Sequence, residues 1–371
     1  MLQLIHPNQI YPKPISYYQS PHFSGERAEA VWPDLDVDKL TFLDADEHLR
    51  GRIVSQLRSI KFKRFGRLSG QYIIMEKGFI ALDRDGTPIK LHCDSDDDWA
   101  HTSMFGQVEN YCISDEFVSQ RNKAIDNWDK IAVAGSFPVI AEPYAGKNYY
   151  HFGILFLPKI RHFADAQTTT VGVPIELLER PFQRELITMT YGQRRIVPFP
   201  EMTKVEDPIL LHEPFSAAAL QWLQARVGLR ARKGERRIYI ARRSSLVGRH
   251  HGGILENEDF CRFLEFYGFE TIDFGSGEIS IPQQIAMLDG AKVVMSAHGA
   301  NLTNIAFAQE GISVIELLPY YWTYFSHMQI ALAASLNYFG IVCHSINSNR
   351  QIVVNIETLT SALQKALEAA A

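Results

Sequence analysis

From Ile238 to Leu317 short apolar runs alternate with segments whose apolar residues recur at helical spacing, and that alternation admits few folds. The runs are Ile238–Ala241, Thr271–Phe274, Val293–Met295 and Ser313–Leu317. Between them Asn257 is placed to cap a helix with Phe260, Phe263, Leu264 and Tyr267 on one face, stopped by Gly268. Ser280 is placed to cap another, with Pro282 in its first turn and Ile281, Ile285 and Leu288 inward. Strands joined through helices pair in parallel with helices covering both faces, so this half predicts a doubly wound α/β domain. Phe325–Leu336 and Leu359–Leu367 read as further amphipathic helices of the same unit.

The preceding stretch alternates less cleanly. Strand-like Ile131–Ala134 and Val139-Ile140, a helix over Tyr149–Phe163, a strand over Thr168–Val173, a helix over Pro181–Tyr191 and a strand over Arg195–Pro198 predict a second parallel sheet. Before Lys130 the chain is proline-rich, then strand-rich, with a hairpin predicted from Gln71–Met75 and Phe79–Leu82 leading into the turn Asp83-Arg-Asp-Gly86. A chain of 371 residues with 46% hydrophobic content exceeds one compact core. The expected division is 1–212, of which 1–129 is irregular and strand-rich and 130–212 Rossmann-like, and 213–371. Phe215–Val227 reads as a helix ended by Gly228, and Arg230–Arg237 as a polar connector.

Net charge is −5, which gives no basic field to hold nucleic acid. The longest clean apolar run, Phe152–Leu157, falls far short of the ~20 residues of a membrane span, so the expectation is a cytoplasmic protein with peripheral membrane association left open. Cys93, Cys112, Cys261 and Cys343 are far apart, with no C-x-x-C pair and no spacing suited to zinc, and read as buried thiols. The many Asp-x-Asp triplets sit in turn-rich polar stretches and single out no metal site.

In open α/β sheets ligands sit beyond the carboxyl ends of the strands. Those ends carry Arg242 and Arg243, then Gly275-Ser-Gly277, then His298–Asn304, then Glu316. The break at His298-Gly299-Ala300 predicts a helix start, whose unpaired N–H groups and positive dipole end suit a phosphate, with Thr303 and Asn304 adding polar side chains. An ordinary turn in which Thr303 or Asn304 serves only as a cap is the competing reading. Arg242, Arg243 and Arg249 offer guanidinium donors to phosphate, and Glu316 an acceptor for ribose hydroxyls.

Ile238-Tyr-Ile-Ala-Arg-Arg243, Asn257-Glu258, Gly268-Phe269, Gln283-Gln-Ile285, His298-Gly-Ala-Asn-Leu-Thr-Asn304 and Val314-Ile-Glu316, in that order, resemble glycosyltransferase family 61. Asn148-Tyr-Tyr-His-Phe-Gly-Ile-Leu-Phe-Leu-Pro158 is similar to that family's upstream helix motif. The resemblance implies a GT-B fold, two Rossmann-like domains facing a cleft, and inverting, metal-independent sugar transfer without a cofactor. It further implies a nucleotide-sugar donor and a glycan or glycolipid acceptor, in cell-surface polysaccharide synthesis of the capsule type. Two departures stand out: Leu155 occupies a position commonly acidic in the family, and His250-His-Gly-Gly253 widens the gap between Arg249 and Asn257.

Inverting transfer needs a base for the acceptor hydroxyl and cationic groups for the leaving diphosphate. The donor side is assigned to Arg242, Arg243, Arg249, His298, Gly299, Ala300, Thr303, Asn304 and Glu316, supported by Asn257, Glu258 and Tyr149. His151 is assigned as base, because histidine is the side chain that exchanges a proton near neutral pH. A packed helix histidine is its bland alternative, and Asp115, Glu116 and Glu142 are substitute bases. A non-catalytic nucleotide or sugar binder is the rival function, favoured by Leu155. A dinucleotide oxidoreductase is weaker still, because Gly275-Ser-Gly277 lacks a third glycine.

Overall fold

The computed structural model describes residues 15–16, 23–25, 29–31, 40–58, 61–75, 80–90, 114–140, 142, 145–146, 148–164, 170–192, 196–213, 215–242, 253–274, 279–320, 326–344 and 351–371. Among them the C-terminal half forms an all-parallel sheet in the order Phe269–Ile272, Lys233–Ile240, Ala291–Ala297, Ser313–Pro319, Asn337–Cys343, Leu40–Leu43. Its central strands are buried almost throughout because helices cover both faces, as the sequence pattern implies. The last strand comes from the N-terminal segment: Phe42 pairs with Gly340, and its ring packs on Tyr338. The segment expected to lie wholly on the other side of the molecule thus completes this sheet.

Several local signals act as read. Asn257 Oδ1 caps the helix Glu258–Phe266 through the amide of Phe260, and Ser280 and Gln283 form a capping box on Ile281–Met287. Gly228 ends the helix Ala217–Val227 in the left-handed conformation at φ 69°. The expected connector Arg230–Arg237 is a correction: Lys233–Ile240 is one strand. Its basic half is tolerated because Arg236 pairs with Glu270 at 2.7 Å and Arg237 donates to the carbonyl of Tyr267.

The first half holds two sheets among the described residues. One runs Ile196–Phe199, Val171–Pro174, Pro138–Val139, Ile209–His212, Lys61–Leu68, Phe23–Gly25, with Glu29–Val31 also on Lys61–Leu68. Its pairs from Ile196 to His212 are parallel, whereas Lys61–Leu68 adds antiparallel. The other joins the expected hairpin strands Gln71–Met75 and Ile80–Leu82 to Pro88–Lys90, Ile15–Ser16 and Thr203–Glu206. Ile131–Ala134 is not a strand; Val133 makes an isolated bridge to Lys204.

The predicted helix over Tyr149–Phe163 is three unlike turns: a π turn at His151–Phe156, a 3₁₀ turn at Leu157–Ile160 and one α turn at Arg161–Ala164. Pro158 lacks an N–H and crowds the carbonyl four residues back, so a regular α-helix cannot run through it. Phe152, Ile154, Phe156, Leu157 and Ile160 are buried in one cluster with Leu220, Leu302, Ile305, Phe307 and Met328. That shared core clamps the Asn148–Pro158 motif against the segment that follows His298.

Candidate active site

The strand Ala291–Ala297 lies between Lys233–Ile240 and Ser313–Pro319, in a register that sets Ser296 level with Ile240 and Glu316. His298 therefore leaves the sheet at its carboxyl edge, just beyond Glu316. Its Nδ1 is 2.7 Å from Glu316 Oε1. His327, on the helix Ser326–Ala333, places its own Nδ1 2.7 Å from the same oxygen, and the Tyr338 hydroxyl donates to Oε2 at 2.6 Å. Burial alone would raise the Glu316 carboxyl, but the two imidazoles outweigh it and hold the group below the usual carboxylate range. An ionised Glu316 only accepts, so both Nδ1 atoms carry protons. Burial pushes His298 below the usual histidine range against the pull of Glu316, with His327 and Arg242 adding to the effect, and burial pushes Tyr338 up.

Glu316 is fully buried with both oxygens engaged, so it stands behind His298 and does not meet a ribose, a correction to the sequence reading. His298, Glu316 and His327 also offer ligand atoms within 4.8 Å of one another. A tetrahedral zinc about 2.1 Å from each ligand would need neighbours about 3.4 Å apart. The observed 2.7 Å separations are hydrogen-bond distances.

The segment after Gly299 is a 3₁₀ helix, Ala300–Phe307, in place of the predicted α-helical start. Thr303 is 1% exposed and Asn304 0%, so neither side chain reaches an anion in the mouth, a second correction. Asn304 has another use: its Oδ1 accepts from the Tyr149 hydroxyl at 2.9 Å, and its Nδ2 donates to Gln284 Oε1 at 2.8 Å. Burial, then the Glu185 charge, pushes the Tyr149 phenol up, which keeps it a donor. Three separated motifs thus meet at one amide. Ala300 is half-buried, and Gly299 lies under Arg242: a Cβ there would come 2.5 Å from Arg242 Nη1. Arg242 itself donates to the His298 carbonyl, and Gly253, at φ +81°, lets the chain pass its backbone oxygen. Arg243, Arg249 and Gly275-Ser-Gly277 lie outside the described residues.

Residues 149–315 match the family model described as Glycosyltransferase 61. The chain is a glycosyltransferase, and its likeness to family 61 covers 149–315. Among curated proteins no match was found. The matched span of this glycosyltransferase begins at Tyr149 and ends just before Glu316, so it takes in Arg242, His298 and Asn304 and leaves out His327 and Tyr338.

His151 opens the π turn of the enzyme, a local widening that recurs at functional sites. Its side chain is 22% exposed, and Nδ1 lies 3.4 Å from Glu142 Oε1. Glu142 Oε2 is held at 2.7 Å by Lys159, and both partners are buried, so the pair is an ion pair set behind the imidazole. Tyr150 links this group to the other histidines: its ring meets His151 edge-on at 5.5 Å and His327 at 6.1 Å. Asp115 and Glu116 begin the helix Asp115–Asp126, whose Phe117 packs in a separate cluster with Ile73 and Trp128. Asn257 is a helix cap and Glu258 an exposed partner of Arg262, so their support of the site is structural at most. Cys343 is buried, but Cys261 is exposed, unlike the thiol expected from its sequence.

His327, Tyr338 and Lys159 were not singled out from the sequence. His327 and Tyr338 sit inside apolar runs, where one polar residue gives no signal of the carboxylate it faces.

Proposed function

We propose that the enzyme moves a sugar from a nucleotide-sugar to a glycan or glycolipid by metal-independent inverting transfer, with residues 213–371 holding the donor and 1–212 mainly facing the acceptor, in a GT-B arrangement. The observation that carries this reading is the convergence, at one carboxyl edge, of Arg242 over Gly299, His298 backed by Glu316, and the Tyr149–Asn304 bond that brings the His151 turn alongside. Arg242 supplies positive charge and His298 a proton donor to the departing diphosphate. His151, oriented by Glu142, takes the acceptor proton. Cell-surface polysaccharide is the acceptor class proposed, and the cytoplasm the place of reaction. No helix among the described residues is long and apolar enough to cross a membrane.

A nucleoside diphosphate is expected to raise the melting temperature with EDTA present. At ~100 times its dissociation constant, a ligand of the native state adds about 2.7 kcal/mol. UDP, GDP, CDP, TDP and CMP form the screen. Stabilisation seen only with added magnesium would overturn the metal-free donor site.

A further inference from the structure

His327 has no part in the mechanism above, yet it is 2% exposed and its Nδ1 shares Glu316 Oε1 with His298. The two rings lie 5.0 Å apart between centroids. The family match ends before it. Its Nε2 is buried and makes no hydrogen bond among the described residues, so the contact to Glu316 is the ring's polar anchor there.

We infer that His327 is a positioning residue for His298: its N–H draws on the negative charge of Glu316, so that His298 stays neutral until the diphosphate arrives. The inference rests on the reading of His298 as a contact to that diphosphate. A carboxylate serving one imidazole would hold an added proton on it firmly. With a second N–H on the same oxygen and the Tyr338 hydroxyl on the other, less of the charge is left for His298. Two further described groups face the pair, and neither opposes the effect. Arg242 lies against the His298 carbonyl and repels a second positive charge, and the Tyr150 ring meets His327 edge-on. A phosphate anion reverses the balance, and a proton from solvent enters the pair on binding. The charged imidazole then lies against the diphosphate that departs.

The test is titration calorimetry with inorganic pyrophosphate and with UDP, GDP, CDP and TDP, from pH 6 to 8.5, in two buffers of different ionisation enthalpy. In the parent, binding should take up a fraction of a proton, and affinity should fall as pH rises, by no more than about tenfold per pH unit for one proton. His327→Leu removes the competing N–H, so His298 should already be charged at pH 7. Proton uptake there should shrink, and the loss of affinity should move to higher pH by roughly one unit. His327→Gln, whose amide sits farther out than Nδ1, should behave as the leucine variant does and serves if leucine does not fold. His327→Asn, which places an amide N–H near the Nδ1 position, should restore the parental curve. Parental pH dependence in a folded leucine or glutamine variant, failure of asparagine to restore it, or no proton uptake by a parent that binds would each overturn the inference alone. A parent that binds none of these probes would instead overturn the donor-site reading and the inference with it.

Discussion

His151→Ala is expected to turn over a nucleotide-sugar about a hundredfold to ten-thousandfold more slowly than the parent, the usual loss for a positioned general base. Nucleoside diphosphate affinity should stay near the parental value. The asymmetry follows from placement: His151 contacts Glu142 and the Tyr150 ring, whereas Arg242 and His298 share the far side of the Tyr149–Asn304 bond. Single-turnover rates with acceptor present, beside calorimetric affinities, separate the two effects. Parental turnover by a folded His151→Ala protein would return the residue to a packing role. Glu142→Gln should fall between the two, because it keeps a hydrogen-bond partner for the ring but removes the charge behind it.

Glu316→Ala should cost about 3 kcal/mol or more of stability, because each buried donor left without its acceptor costs about 1–3 kcal/mol. Two buried imidazole N–H groups and the Tyr338 hydroxyl would lose their acceptor in one step. The check is the urea midpoint of the transition that reports the C-terminal sheet. In the parent, acid should weaken the same cluster. The carboxyl of Glu316 is depressed in the folded state, so its contribution is present above the ordinary carboxyl value and is lost as pH falls toward the folded one. His298 is depressed too, so its contribution is present above the ordinary histidine value of 6.5 and declines as pH drops below it. Stability should therefore hold above about pH 6.5, begin to fall below it through His298, and fall further below about pH 4.5 through Glu316. A Glu316→Ala midpoint equal to the parent's would mean that the buried network contributes nothing to the fold.

What the sequence disclosed was local, and what it hid was long-range. Asn257, Ser280 and Gly228 announced helix ends because capping needs only neighbours within a turn. The parallel sheet was legible from alternation. Nothing in Leu40–Leu43 shows that it will pair with Asn337–Cys343, since a short apolar strand carries no address for a partner some 300 residues away. For the candidate site, sequence position said more about neighbours than about roles. Arg242 meets the His298 carbonyl and Tyr149 meets Asn304, yet Asn304 and Glu316, read as ligand contacts, are buried. Residue type alone does not separate a polar group facing a substrate from one facing another polar group inside. His327 was missed for the same reason. The π turn was missed because widening by one residue barely alters apolar spacing over so short a segment.

The most direct measurement is the release of nucleoside diphosphate from UDP-, GDP-, CDP- and TDP-sugars by the full chain, in EDTA, with and without glycan and glycolipid acceptors. The account predicts release from one nucleotide class, faster with an acceptor, undiminished by the chelator and reduced in Arg242→Ala through weaker donor binding. Release that requires a divalent ion, or that is unchanged in a folded Arg242→Ala protein, would contradict it.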